Sequence, residues 1–180
     1  MKRVCVFCGS SEGKKSSYAK VARELGQEIA KREWGLVYGG ASIGVMGACA
    51  NGALEKNGKV WGIIPQSIMD LEVGNEKIAH LEVVNSMHQR KERMYELSQA
   101  FVAMPGGMGT LDEFFEIFTW AQLEYHSKKI YLLNLNGFFD HLIAHIKRAN
   151  DEGFVSDKHV SLVEVVENLE SLLEKFDADL

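Results

Sequence analysis

Two prolines and three cysteines are all that 180 residues contain of either type. So little proline leaves no Pro-rich spacer, and no low-complexity stretch marks an interior linker. Three thiols, at Cys5, Cys8 and Cys49, cannot form a disulfide framework and fit a reducing compartment. Cys5 and Cys8 form a C-x-x-C, but in a strand-like run residues three apart point to opposite faces and lie roughly 10 Å apart, too far to bridge. No second cysteine pair completes a zinc site. Long hydrophobic runs are missing too: nothing approaches the roughly 18 apolar residues of a spanning helix. The opening MKRVCVFCGSS has a basic start, yet polar residues cut its apolar run too short for a signal segment, so a cytoplasmic protein is expected. Positive charge is also scarce, with 20 Lys and Arg against 25 Asp and Glu and a net charge of -5. Nucleic-acid binding wants a basic face, so neither nucleic acid nor membrane is an expected partner. Small anions, bound through local features, remain.

What is present is an ordinary globular composition, 46% hydrophobic and 25% charged, at a length that fits one domain over 1–180. Continuous apolar runs predict strands at 3–8, 36–38, 59–65, 81–85, 100–104 and 129–134, as parallel strands covered on both faces require. Helical periodicity predicts helices at 17–33, 44–56, 86–98, 110–125 and 137–151, with a charged amphipathic helix at 166–176. The repeated βα order predicts an α/β fold, a Rossmann-like, doubly wound parallel sheet flanked by helices.

Ligands of such sheets bind outside the carboxyl ends of the strands. Three small-residue loops follow strands there: Gly9-Ser10-Ser11-Glu12-Gly13, the run Gly39 to Gly47 with Gly40 and Gly44, and Pro105-Gly106-Gly107-Met108-Gly109-Thr110. At least two open helices, and backbone N–H groups at helix starts suit phosphate. Tight turns alone would explain any one of the loops. Two nucleotide motifs fail. Gly13-Lys14-Lys15 has Cys8 at the first glycine position of a P-loop and Lys15 at its hydroxyl position, and GSSEG does not match G-x-G-x-x-G. The expected ligand is a single phosphorylated molecule rather than NAD or ATP with magnesium.

Thr110-Leu111-Asp112-Glu113 fits a capping box, with Thr110 at N-cap and Glu113 at N3. The same spacing puts the Glu113 carboxylate within reach of whatever the glycines hold. It would repel a phosphate, so it would face a sugar, stabilising a cationic transition state or activating water. The segment 86-SMHQRKERMYEL-97 places Arg90 and Lys91 either at the ligand edge or on a solvated helix face. His88 reads as a structural or surface histidine rather than a catalyst. His141 and His145 share a helix face, but Leu142 stands where a metalloprotease motif needs Glu, so no metal site is expected.

The sequence resembles the Lonely Guy family of cytokinin-activating phosphoribohydrolases, once widely mislabelled as lysine decarboxylases. The signature P-G-G-x-G-T-x-x-E stands at Pro105 to Glu113 and its companion M-H-x-R-K at Met87 to Lys91. CVFCGSS, LVYGG with the following G-V-M-G, TWAQL at 119–123 and DEGF at 151–154 are similar to family segments, so the likeness spans nearly the whole chain. Ala41 departs from the third glycine of many members. The resemblance implies hydrolysis of the N-glycosidic bond of an adenosine 5'-monophosphate, often N6-substituted, with no metal or organic cofactor. It implies Arg90 and Glu113 as the catalytic pair, and Glu72, Lys91, Gly106, Gly107, Met108, Gly109, Thr110 and Thr119 as further substrate contacts. A non-hydrolytic nucleotide carrier is the alternative.

At 100° per residue, Leu111, Phe114, Phe115, Ile117, Phe118, Ala121 and Tyr125 form one apolar arc, with Trp120 and Leu123 outside it. Large apolar groups on a polar side point to a partner surface, and the resemblance implies a homodimer with its sites near the interface.

Overall fold

A computed structural model describes residues 1–69 and 74–180. The chain runs β1 (Arg3–Phe7), α1 (Ser17–Lys31), β2 (Gly35–Tyr38), α2 (Gly44–Glu55), β3 (Lys59–Pro65), β4 (His80–Val84), α3 (Met87–Leu97), β5 (Ala100–Ala103), α4 (Met108–Gln122), β6 (Lys129–Leu133), α5 (Asp140–Asp151), α6 (Asp157–Val160), β7 (Val163–Val166) and α7 (Leu169–Asp179). The strands form one sheet in the order β4-β3-β2-β1-β5-β6-β7, every neighbouring pair parallel. The fold is the expected Rossmann-like doubly wound α/β sheet.

Alternation along the strands sorts the core into two layers. Val4, Val6, Leu36, Tyr38, Val102 and Leu133 face α1, α2 and α7, where they meet Leu25, Ile29, Cys49, Leu172 and Phe176. Cys5, Phe7, Val37, Phe101 and Leu132 face α3, α4 and α5, meeting Met94, Leu97, Phe114, Ile117 and Phe118. Cys8 joins the first layer and Cys5 the second, so the C-x-x-C straddles the sheet and both thiols are free.

The strand order reverses at β1, whose neighbours are β2 on one side and β5 on the other. That reversal opens a crevice between the loops leaving β1 and β5, the usual ligand seat of such sheets. Those are the Gly9 and Pro105 loops, and the Gly9 N–H donates to the Pro105 carbonyl at 3.3 Å.

Every strand expected from the sequence is present with its ends shifted by at most one residue. β7 and α6 were not expected. β7 is four residues at the sheet edge, with Val165 exposed and Glu164 between apolar neighbours, too short and too mixed to show a period. The helix expected from 137 starts at Asp140, because Asn136 and Gly137 take left-handed backbone, φ 56° and 70°. Two members of the expected apolar arc on α4 are turned outward: Phe115 is 37% exposed and Tyr125, beyond the end of the helix, is 71% exposed.

Candidate functional site

α4 begins three residues earlier than the capping-box reading required. Its N-cap is Gly107, in extended backbone, and no side chain caps the end. Thr110 therefore sits inside the first turn, Glu113 lies a turn further on, and neither stands where the capping box places it. The first amide groups of a helix have no intrahelical acceptor. Here the first i to i−4 bond is Leu111 N–H to Gly107 O at 3.3 Å. Met108, Gly109 and Thr110 line a cleft of about 350 Å³ together with Cys8, Gly9, Ser10, Met46, Ile68, Met87, Arg90, Gly107 and Glu113. The result is a bare helix N-terminus facing open space, which favours an anion. Among the described residues, a Cβ added at Gly107 or Gly109 would meet no atom within 4 Å beyond its own neighbours in the chain, so these glycines leave room at the helix start. Gly106 differs: its Cβ would fall on the Thr110 hydroxyl and stand 2.8 Å from the Gly9 nitrogen, so it allows the two loops to touch. A second cleft, of about 220 Å³, adjoins along Gly9, Ser10 and Gly107 and is walled by Tyr18, Val45, Pro105 and Phe138.

The capping box stands instead at the head of α3. Ser86 is the N-cap and its hydroxyl accepts from Gln89 N–H at 3.2 Å, while the Gln89 side chain reaches back to accept from Asn85 N–H at 2.9 Å. This pins the helix start so that Arg90, four residues on, turns inward. The residue is 4% exposed, and its guanidinium donates to the carbonyls of Ile63 at 3.0 Å and Gly39 at 2.6 Å. Charge-assisted bonds to two backbone carbonyls fix the plane of the cation where the cleft begins.

The second glycine loop packs largely away from these clefts. Gly39 and Gly40 are buried, and neither lines either of these two clefts. A Cβ at Gly39 would land on the Arg90 guanidinium, so this glycine makes room for that side chain. Gly40 packs over Ile64 and its carbonyl accepts from Asn75 N–H at 2.9 Å. Gly44 lies against the Ser10 backbone, bracing the first loop from behind. Gly9 and Ser10 do line the cleft.

Glu113 is 9% exposed and lines the same cleft as Arg90. Burial pushes the Cys5 and Cys8 thiols well above their ordinary range, Cys49 adds to this at Cys8, and the Glu113 carboxylate adds at both. These cysteines are therefore held neutral beside the site and are inert as nucleophiles. Of the remaining expected contacts, Lys91 and Thr119 are not in the cleft lining. Lys91 pairs with Asp112 and Glu116 on α4, both at 3.1 Å, and Thr119 is exposed further along that helix. Glu72 lies outside the described residues. His88, His141 and His145 are exposed, and among the described residues no three His, Cys, Asp or Glu are grouped to hold a metal. The seat supplied by the Ile63 carbonyl and Gly39 had no signal in the sequence, since a backbone acceptor can come from any residue type.

A cytokinin riboside 5'-monophosphate phosphoribohydrolase of Arabidopsis thaliana is 43% identical over 177 residues, covering 98% of this chain and 78% of that protein. The chain belongs to the Lonely Guy family. A second Arabidopsis thaliana protein of the same name is 43% identical over 176 residues, covering 98% of this chain and 81% of its own length. The family model described as possible lysine decarboxylase matches residues 46–176, a span holding both Lonely Guy motifs. Among solved structures, the molybdenum cofactor binding protein from the phototrophic bacterium Rippkaea orientalis aligns with TM-score 0.75 and 25% identity, over 99% of this chain and 97% of that one. The molybdenum cofactor carrier protein of Chlamydomonas reinhardtii, at 22% identity and TM-score 0.74 over 98% and 96% of the two chains, shares the fold. The Lonely Guy signature thus falls, in this chain, on the uncapped start of α4 and the buried face of α3.

Proposed function

We propose that this protein hydrolyses the N-glycosidic bond of adenosine 5'-monophosphates, including N6-substituted ones, to free base and ribose 5-phosphate. The observation that carries the reading is the convergence of a buried guanidinium, a buried carboxylate and an uncapped helix N-terminus on one cleft. The phosphate docks on the first-turn amides of α4, with Gly9 and Ser10 opposite. Ribose then lies towards Glu113. As the C1'–N9 bond breaks, its electron pair leaves with the base, and positive charge develops on the sugar beside the carboxylate. Water adds to C1', and its proton passes to Glu113 or to the departing base. Arg90, held by two carbonyls, orients the nucleotide. No cofactor enters the scheme, and Lys91, committed to two carboxylates beside the cleft, is a poor candidate for carrying one.

A stripe along α4 supports assembly into a homodimer. Met108, Phe115 and Leu123, seven and eight residues apart, are 78%, 37% and 56% exposed on the side of the helix that starts at the cleft. A second copy covering them would bring the two sites close to the interface.

A binding protein that does not cleave its nucleotide is the second reading, favoured by the likeness at 25% identity to a molybdenum cofactor binding protein. One experiment separates the two: incubation with AMP, N6-isopentenyl AMP and adenosine, followed by chromatography for free base. Hydrolysis of both monophosphates far above adenosine is expected, because the anion seat contributes only when phosphate is present. Equal turnover of adenosine would remove the phosphate seat, and tight AMP binding with no base released would establish the carrier.

A further inference from the structure

The pair named above, Arg90 and Glu113, sits on two different helices, and something must hold those helices in register. Each residue has a neighbour in sequence that points a quarter turn away from the cleft, into the seam between α3 and α4. Next to Arg90, the Lys91 side chain is only 11% exposed and its ammonium lies 3.1 Å from both Asp112 and Glu116. Burial alone would pull Lys91 down, but its hydrogen bonds and charge interactions with the two carboxylates hold it above its ordinary value, so it stays protonated. One helical turn further, Tyr95 meets Trp120 edge-on at 5.1 Å between ring centroids. Lys128 closes that end, with its ammonium 3.7 Å from the Tyr95 ring centre and donating to the Tyr95 carbonyl at 2.7 Å. The spacing is regular: Lys91 and Tyr95 on α3 oppose Asp112, Glu116 and Trp120 on α4, each step four residues.

We propose that Glu116 and Asp112, acting through Lys91, are positioning residues that set the distance between Arg90 and Glu113 across the cleft. The inference rests on the hydrolase reading for its kinetic consequence, though the seam itself does not. A lysine clamped between two carboxylates in a half-buried seam has one preferred separation. The aromatic pair at the far end tolerates small slides that the ion pairs at the cleft end resist. Small misplacements of reacting groups are costly, on the order of 100-fold for about 1 Å.

The test is a charge swap. Glu116→Lys sets two ammonium groups against each other, and adding Lys91→Glu restores one opposite-charge pair across the seam while leaving a second carboxylate facing Asp112. Glu116→Lys is expected to lower kcat for AMP by about 10-fold to 100-fold with KM within about twofold. The double variant should regain part of the kcat lost in Glu116→Lys, a coupling that independent sites do not show. Glu116→Gln, the milder change, should fall between. A second readout needs no turnover: the Arg90 Nε–H, bonded to the Ile63 carbonyl, should exchange slowly in NMR of the wild type, faster in Glu116→Lys, and slowly again in the swap. Wild-type kcat in both Glu116 variants would overturn the proposal. So would a swap no better than Glu116→Lys, or an Arg90 signal indifferent to all three changes. If the wild type itself releases no base, the hydrolase reading falls, and the Arg90 signal alone decides whether the seam positions that side chain.

Discussion

Replacing Gly39 by alanine adds one methyl group at the point where the second glycine loop meets Arg90. The backbone of Gly39 is not left-handed, so alanine brings no conformational strain. The added Cβ would overlap the Arg90 Nη2 atom, stand 2.8 Å from the Met46 sulfur and lie 3.1 Å from the Arg90 Cζ. An arginine tip on the surface would swing aside at little cost. This one is buried and donates to the carbonyls of Ile63 and of Gly39 itself, so moving it gives up at least the 2.6 Å bond to Gly39. A hydrogen bond to a charged group contributes about 1.5–3 kcal/mol. If the transition state needs Arg90 in its present plane, that loss lowers kcat/KM by about 10- to 150-fold, at 1.36 kcal/mol per decade. Overpacking costs about 1–3 kcal/mol of stability. At roughly 2–4 °C per kcal/mol the melting point falls by about 2–12 °C, so activity is compared well below the lowered midpoint. The assay is base release from AMP over a range of concentrations, with melting recorded by circular dichroism. Unchanged kcat/KM in a folded Gly39→Ala protein would refute the placement of Arg90 by Gly39.

Three further outcomes are expected. Because Gln keeps the size and shape of Glu113, Glu113→Gln should melt close to wild type and still bind AMP, yet lose about 10²- to 10⁴-fold in turnover; near-normal turnover would strip Glu113 of its proposed role. His126 has its Nδ1 accepting from Lys128 N–H at 3.1 Å and its other nitrogen 3.0 Å from the Ile117 carbonyl, and burial, with Lys128 nearby, holds its pKa below the ordinary 6.5. The folded state therefore prefers neutral imidazole, its contribution is complete above pH 6.5 and lost as pH falls through the lowered value, so urea unfolding midpoints should drop on acidification and drop less in His126→Gln. Light scattering at micromolar concentration should report twice the chain mass, and Phe115→Glu with Leu123→Glu should return it to a monomer; a wild-type monomer would remove the dimer.

Much of the fold was legible because parallel strands covered on both faces must be continuous apolar runs, and KVWGIIP and AFVAM are unbroken enough to show it. β7 was not, since at the sheet edge only one flank and one face need be apolar. The order of elements also pointed to the strand ends as the ligand edge, and the spacing of Pro105 to Glu113 identified the family. The direction of each side chain did not follow from spacing. Thr110 and Glu113 match a capping box as well as Ser86 and Gln89 do, and only the path of the loop decides which helix starts there. It enters α4 at Gly107, three residues early, and so uncovers the amides of Met108, Gly109 and Thr110.

The sequence by itself determined the sheet, its two apolar layers and the family, because these depend on periodicity and short-range spacing that any homologous chain must keep. Only the tertiary structure decided that Gly39 makes room for Arg90, that Lys91 turns to Asp112 and Glu116, and that Phe115 and Tyr125 face outward. Each of these depends on a contact between segments distant in sequence, where the partner is a backbone carbonyl or a neighbouring helix. Position in space, rather than residue type, chooses such partners.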